Sequence, residues 1–251
     1  MHQPSPPVSV TANEPLDDLL GTTLHHRDDV FRNIVGLRKS RDPLAFLNVS
    51  AADSAVGIKA EMATRARLPN PLVNRPFESG YGAVIAYPFQ APHWARTRFS
   101  DGSYGVWYGA ASVATTVYET VWHFQSEIRG SGLSSHAEPI VRERRVSEVS
   151  LNALLFDLRP HCDREPDLLH PHDYRFCQSI GRQLQSAHHP GVVSRSARDE
   201  NGDVFAIFSP DYLSNVRDHC YLRYSHAPDG TVTVERTPSE TWLTIPPLAH
   251  P

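Results

Sequence analysis

The run Arg98-Phe99-Ser100-Asp101-Gly102-Ser103-Tyr104-Gly105-Val106-Trp107-Tyr108-Gly109-Ala110-Ala111-Ser112-Val113-Ala114-Thr115-Thr116-Val117-Tyr118-Glu119 sets the expectation for the fold. Ser100 to Ser103 has the composition of a turn. Tyr104 to Ala110 is apolar and aromatic, which suits a strand. Ser112 then stands where a helix N-cap belongs. Beyond it, Val113, Val117, Val121, Phe124 and Ile128 recur on one helical face as far as about Arg129, with Gly130 as a natural stop. A cation (Arg98), a phenol (Tyr108) and an acid (Glu119) thus ride on a turn, a strand and a helix. Glu119 lies about 200° round the helix from Val117 at roughly 100° per residue, off the apolar stripe.

Outward from this unit, toward the C-terminus, strands are expected at Pro139–Val149, Ala153–Leu158, Gly191–Ala197, Val204–Phe208, Tyr221–Ser225 and Thr231–Arg236. The last two are joined at Pro228-Asp229-Gly230, a strong hairpin signal. A second helix should follow Asp173, with Phe176, Cys177, Ile180 and Leu184 inward, and end at His189-Pro190-Gly191. Toward the N-terminus, Ala83–Tyr87 before Pro88 reads as a buried strand.

Residues 16–77 read as an N-terminal helical elaboration. Leu16, Leu19, Leu20, Val30, Phe31, Ile34 and Val35 keep helical spacing as far as about Lys39, and a further helix is expected over about Ser54–Arg67. Three prolines between Leu68 and Pro76 end it. Residues 1–15, rich in Pro, Ser and Thr, are expected to be a flexible tail. The core, residues 78–251, is α+β, with short mixed and antiparallel strands flanked by helices.

The 251 residues carry a formal net charge of -4, and no run of Lys or Arg exceeds two. Phosphate neutralisation drives most nucleic-acid binding, so this balance argues against a direct nucleic-acid partner. No apolar run approaches the length of a membrane span, and the N-terminus lacks the basic start and apolar core of a secretory signal. Cys162, Cys177 and Cys220 make no disulfide framework, which fits a cytoplasmic location. The two common phosphate-cradling glycine motifs, HExxH and GxSxG are all absent. The pairs His161-Cys162 and His219-Cys220 lack zinc-site spacing, so no metal is expected.

Several blocks in order resemble the RES domain, a family named for an Arg, a Glu and a Ser. They are Arg98-Phe99-Ser100-Asp101-Gly102, Trp107-Tyr108-Gly109-Ala110, and Thr115-Thr116 followed by Glu119. The third letter matches Ser196 in Ser196-Ala197-Arg198, ahead of Gly202 and the strand ending at Phe208. Ser196 is preferred over Ser194. Where the family often has Pro after an aromatic, this chain has Arg195 after Ser194. Ser209-Pro210, Leu213-Ser214 and Tyr221-Leu222 extend the resemblance, which covers about Ala83 to Trp242.

The resemblance implies an ADP-ribosyltransferase-like fold for a catalytic domain over 78–251, with NAD+ as substrate and no other cofactor. It implies cleavage of the nicotinamide–ribose bond, with water or inorganic phosphate as acceptor. Transfer of ADP-ribose to a protein, or NAD+ binding without turnover, are the alternatives. Glu119 would face the developing positive charge and Arg98 the pyrophosphate. Tyr108 would stack on nicotinamide or its ribose, and Ser196 would hydrogen-bond the ribose or the amide. Arg96 and Arg198 rank second for phosphate, and His123 could brace Glu119. The implied setting is a bacterial toxin held inactive by an antitoxin with a helix-turn-helix domain. Homo-oligomerisation and delivery into other cells stay open, and residues 16–77 are expected to cover the core or to form a partner or self-association surface.

Overall fold

The computed structural model describes residues 19–36, 81–131, 138–237 and 239–249. The expected tail over 1–15, the helix over 54–67 and the proline-rich segment lie outside the described residues. The elements are β1 (Thr23–Val35), α1 (Tyr81–Ala86), β2 (Arg96–Thr97), β3 (Ser100–Asp101), β4 (Trp107–Ala110), α2 (Val113–Ser131), β5 (Ile140–Asp157), α3 (Arg175–Ser186), β6 (Gly191–Arg195), β7 (Asp203–Ile207), β8 (Leu213–His226), β9 (Val232–Thr237) and β10 (Glu240–Ile245).

The fold is mixed α+β, dominated by an eight-stranded sheet in the order β1-β4-β7-β6-β5-β8-β9-β10. Strand β5 organises it. One edge of β5 runs antiparallel to β1, from Thr23 opposite Phe156 to Val35 opposite Arg144. Its other edge is shared. β8 occupies Ile140 to Leu151, and β6 joins in parallel at Phe156 and Asp157. Because β1 also touches β4 at Phe31–Ala110, the path β1-β4-β7-β6-β5 returns to its start, while β8, β9 and β10 extend away from it.

Local signals explain much of this. Ser112 caps α2, its Oγ accepting from the Thr115 N–H at 3.0 Å. The apolar stripe of α2 packs Val117, Val121, Phe124 and Ile128 on Val146, Leu222, Tyr224, Val232, Val234 and Ile245. The turn between β8 and β9 has Gly230 at φ 88, which glycine adopts without strain. Helix α3 buries Cys177, Ile180 and Leu184 with Phe99 and Tyr104. Among the described residues no helix is long and apolar enough to cross a membrane.

Three expectations are corrected. Residues 23–35 form a strand of the core sheet and not part of a helical elaboration. Their apolar residues do fall at helical spacing, but extended pairing along all 13 positions with β5 outweighs that local pattern. Residues 81–86 form helix α1 where a strand was expected. There the Val84 carbonyl, one of the four that a helix leaves free at its C-terminus, accepts the Trp107 indole N–H at 3.0 Å. Nor are the strands uniformly short. The two expected segments at 139–149 and 153–158 merge into the 18 residues of β5, and β8 spans 14. The edge strand β10 went unanticipated.

Candidate active site

Arg98 and Phe99 are the two residues between β2 and β3, whose pairs are Arg96–Asp101 and Thr97–Ser100. Burial of Phe99 in the α3 cluster anchors the hairpin. Helix α3 meets it backbone to backbone, since a Cβ on Gly181 would lie 2.0 Å from the Phe99 carbonyl oxygen. With Phe99 inward, Arg98 reaches the segment before α3. Its Nη1 donates to the carbonyls of Leu168 (3.0 Å) and His170 (3.1 Å), and its guanidinium lies 4.6 Å from the centre of the Tyr174 ring. Arg98 keeps further N–H donors for a ligand beside those two contacts.

Glu119 leaves the helix on the side away from the apolar stripe and is half-buried. Ser196 follows β6 directly, in the turn to β7, and is 4 % exposed. Its Oγ donates to Glu119 Oε1 at 2.6 Å. The same oxygen accepts from the backbone N–H groups of Arg198 and Asp199, both at 3.0 Å. Two backbone donors therefore fix the hydroxyl, and its one proton goes to the carboxylate. The turn is closed by Ser196 N–H donating to the Gly202 carbonyl at 2.7 Å. It is tied to the N-terminus of α2 by Thr115 Oγ1 donating to Asp199 Oδ2 at 2.8 Å. Ser194 faces elsewhere, its Oγ 3.8 Å from Cys162 Sγ.

One guanidinium, that of Arg198, is coupled electrostatically to Glu119. The Arg198 guanidinium lies 3.8 Å from the Trp122 ring centre, and its Nη2 donates to the Pro171 carbonyl at 2.7 Å. Its Nε is buried with no hydrogen-bond partner among the described residues. Burial lowers the Arg198 pKa from its ordinary value, and Glu119 opposes the shift. His123, one helical turn after Glu119, is also pushed below the usual imidazole range. Burial is the main cause, Glu119 opposes it, and Arg198, Arg144 and Arg98 add to it. At neutral pH His123 is thus uncharged, and Glu119 opposes both burial and the three arginines that the ring senses.

Tyr108 sits beside the Arg98 turn. Its ring is half-buried against the α3 cluster. Its hydroxyl accepts from the Phe99 N–H at 3.0 Å and shares a proton with Thr97 Oγ1 at 2.8 Å. Arg96, with its Nη2 3.5 Å from Gln178 Oε1, borders an open depression of about 530 Å³ shared with His170, His172, Asp173 and Tyr174. The sequence reading overlooked Tyr174, Trp122 and the carbonyls of residues 168–171. The polar and aromatic run His170-Pro171-His172-Asp173-Tyr174 ahead of α3 was the only available signal.

A carboxylate bonded to a fixed hydroxyl, with guanidinium groups alongside, suits a ligand that carries anionic groups and develops positive charge during reaction. The family model described as the RES domain matches residues 63–227. No curated protein matches the sequence. A crystal structure of the M. tuberculosis MbcT–MbcA toxin–antitoxin complex is similar at 14% identity and a TM-score of 0.40, over 82% of this chain and 87% of that chain.

Proposed function

Because the chain belongs to the RES domain family, we propose that it is a toxin that consumes NAD+ by breaking the nicotinamide–ribose bond, on an ADP-ribosyltransferase-like core. The observation that carries this reading is the 2.6 Å hydrogen bond from Ser196 to Glu119, whose carboxylate is coupled to the Arg198 guanidinium.

The bond from the ribose anomeric carbon to the pyridinium nitrogen breaks heterolytically. Its electron pair leaves with nicotinamide, which departs neutral and needs no general acid. The ribose becomes oxocarbenium-like, as in glycoside cleavage. Glu119 faces that charge. Ser196 holds the carboxylate in one orientation, so little reorganisation is needed as charge develops. Arg98 holds the pyrophosphate, where a planar fork matches phosphate oxygens. The Tyr108 ring lines the nicotinamide side. Water as acceptor gives ADP-ribose and a proton, and inorganic phosphate gives the 1-phosphorylated ribose. Ser196 would pass its contact to a ribose hydroxyl or the amide as the ligand enters. An antitoxin is the expected partner.

The test is a product assay on the full chain with NAD+, with and without phosphate, beside Glu119→Ala. Nicotinamide release that the variant loses supports the reading. Product formed only with phosphate identifies phosphorolysis. Folded wild-type protein that binds NAD+ and releases no nicotinamide overturns the reading, in favour of a protein acceptor or a binding module.

A further inference from the structure

The Tyr108 hydroxyl is engaged on both sides of Arg98, the residue proposed above to hold the pyrophosphate. It accepts from the backbone N–H of Phe99, directly after Arg98, and pairs with the side chain of Thr97, directly before it. Arg98 lies in a two-residue turn between strands of two residues each, so few ladder bonds hold it. We infer that Tyr108 is a positioning residue whose phenol oxygen pins the β2–β3 turn and so aims the Arg98 guanidinium at the anionic part of the ligand.

Three features support this. Tyr108 lies on β4, whose four residues pair with β7 in the main sheet, so the pin runs from a rigid strand to a small appended hairpin. Burial pushes the phenol above its ordinary pKa, so the group stays protonated at any working pH. It can then donate to Thr97 Oγ1 while accepting from Phe99 N–H, and the two contacts use different capacities of one oxygen. The other turn anchor, Gln178, donates to the Thr97 and Ser100 carbonyls from α3. The hairpin is therefore gripped from both sides, by α3 below and by Tyr108 from the sheet. The hydroxyl is thus already engaged without a ligand, and only the ring is left to face one.

The inference rests on the proposed role of Arg98 as the phosphate clamp, and Tyr108→Phe tests it. The variant keeps the ring and removes the pin. Loss of one such contact should raise the Kd for inorganic pyrophosphate and the KM for NAD+ about three- to tenfold, with kcat nearly unchanged, because the clamp acts equally on ground and transition states. Amide exchange at Phe99 should quicken. Thr97→Val should give a smaller change of the same kind. Tyr108→Phe combined with Arg98→Ala should bind pyrophosphate no more weakly than Arg98→Ala alone. Additive losses, or an unchanged Kd in a folded Tyr108→Phe protein, overturn the pin. Wild-type protein that binds pyrophosphate and does not turn over NAD+ defeats the proposed activity and leaves the pin standing. Wild-type protein that binds no pyrophosphate defeats the pin.

Discussion

Ser196 and Glu119, 77 positions apart in the chain, meet through a hydroxyl that the backbone N–H groups of Arg198 and Asp199 already hold. The two residues should fail differently. Glu119→Gln keeps the shape and an oxygen that can accept from Ser196, so stability should barely change. Turnover should fall by about a hundred- to a thousandfold, as when one preorganised electrostatic contact is removed. Ser196→Ala strips two half-buried N–H groups of their acceptor and should cost about 1–2 kcal/mol of stability, together with a smaller loss of rate. Urea melts and nicotinamide release, measured side by side, check the contrast. Equal losses of stability in both variants would contradict it.

At Gly202 the Ser196 turn leaves no room for a side chain against helix α2. A Cβ there would lie 2.5 Å from Thr115 Cγ2, 2.6 Å from Thr115 Oγ1 and 2.7 Å from Asp199 Oδ2. Thr115 is 1 % exposed and bonded to Asp199 and Ser112, so it has nowhere to go. Gly202→Ala should therefore destabilise by about 1–3 kcal/mol, as overpacking does. Activity should drop too, because the Gly202 carbonyl holds the Ser196 N–H. Adding Thr115→Ala vacates the contested space and should restore part of the stability. A double variant no better than the single one would mean that the clash lies elsewhere.

Among the described residues, four histidines have lowered pKa values and shape the pH response. His26, His123, His189 and His226 are all pushed below the usual imidazole value of 6.5, with burial as the leading cause in each. In the window between the lowered folded values and 6.5, the unfolded chain binds more protons. Stability is then complete above about pH 6.5 and declines as pH falls below it. The carboxylates held low by their partners, such as Asp29 beside Ser150 and Arg217, begin to lose their contribution only at more acid pH. The urea midpoint should thus be flat from about pH 8 to 7 and fall toward pH 5. Replacing the buried His226 by Gln should make the fall shallower. An unchanged midpoint across that range would show that these imidazoles titrate freely in the folded chain.

The readable parts of the fold were those decided within a few residues. The Ser112 cap, the α2 stripe and the Asp229-Gly230 turn each depend on neighbours in sequence, and each formed as expected. The resemblance singled out Arg98, Tyr108, Glu119 and Ser196, because their motifs keep their order along the chain, and of these the fold bonds Ser196 to Glu119 directly. The contacts around them were not legible. The partners of Arg98 are backbone carbonyls, at Leu168 and His170, and a carbonyl leaves no trace in side-chain identity. Arg198 over Trp122 joins residues 76 positions apart, which no local period reports. Strand β1 misled for a related reason. Val30, Phe31, Ile34 and Val35 fit a helical stripe, and the partner that decides otherwise begins more than a hundred residues later.

The pairing of β1 with β5 makes the N-terminal strand part of the core, and truncation tests this. If residues before 78 were a detachable elaboration, removing them would leave a folded core. In the structure, however, β1 fills one edge of β5 along 13 positions and places Val30, fully buried, among Trp107, Val149 and Leu151. Asn33, half-buried on the same strand, ties it to the rest of the sheet. It accepts from Arg144 Nε at 2.8 Å and donates to the Tyr224 hydroxyl at 2.9 Å, and Tyr224 in turn pairs with Thr120, the residue after Glu119. Loss of β1 would bare the β5 ladder and leave buried polar groups without partners, at about 1–3 kcal/mol each. A chain starting at residue 37 should therefore lack a cooperative melting transition and aggregate. Asn33→Ala in the full chain should melt earlier and weaken turnover through the helix that carries Glu119. A cooperative melt with wild-type turnover from the shortened chain would show that β1 is dispensable to both sheet and site.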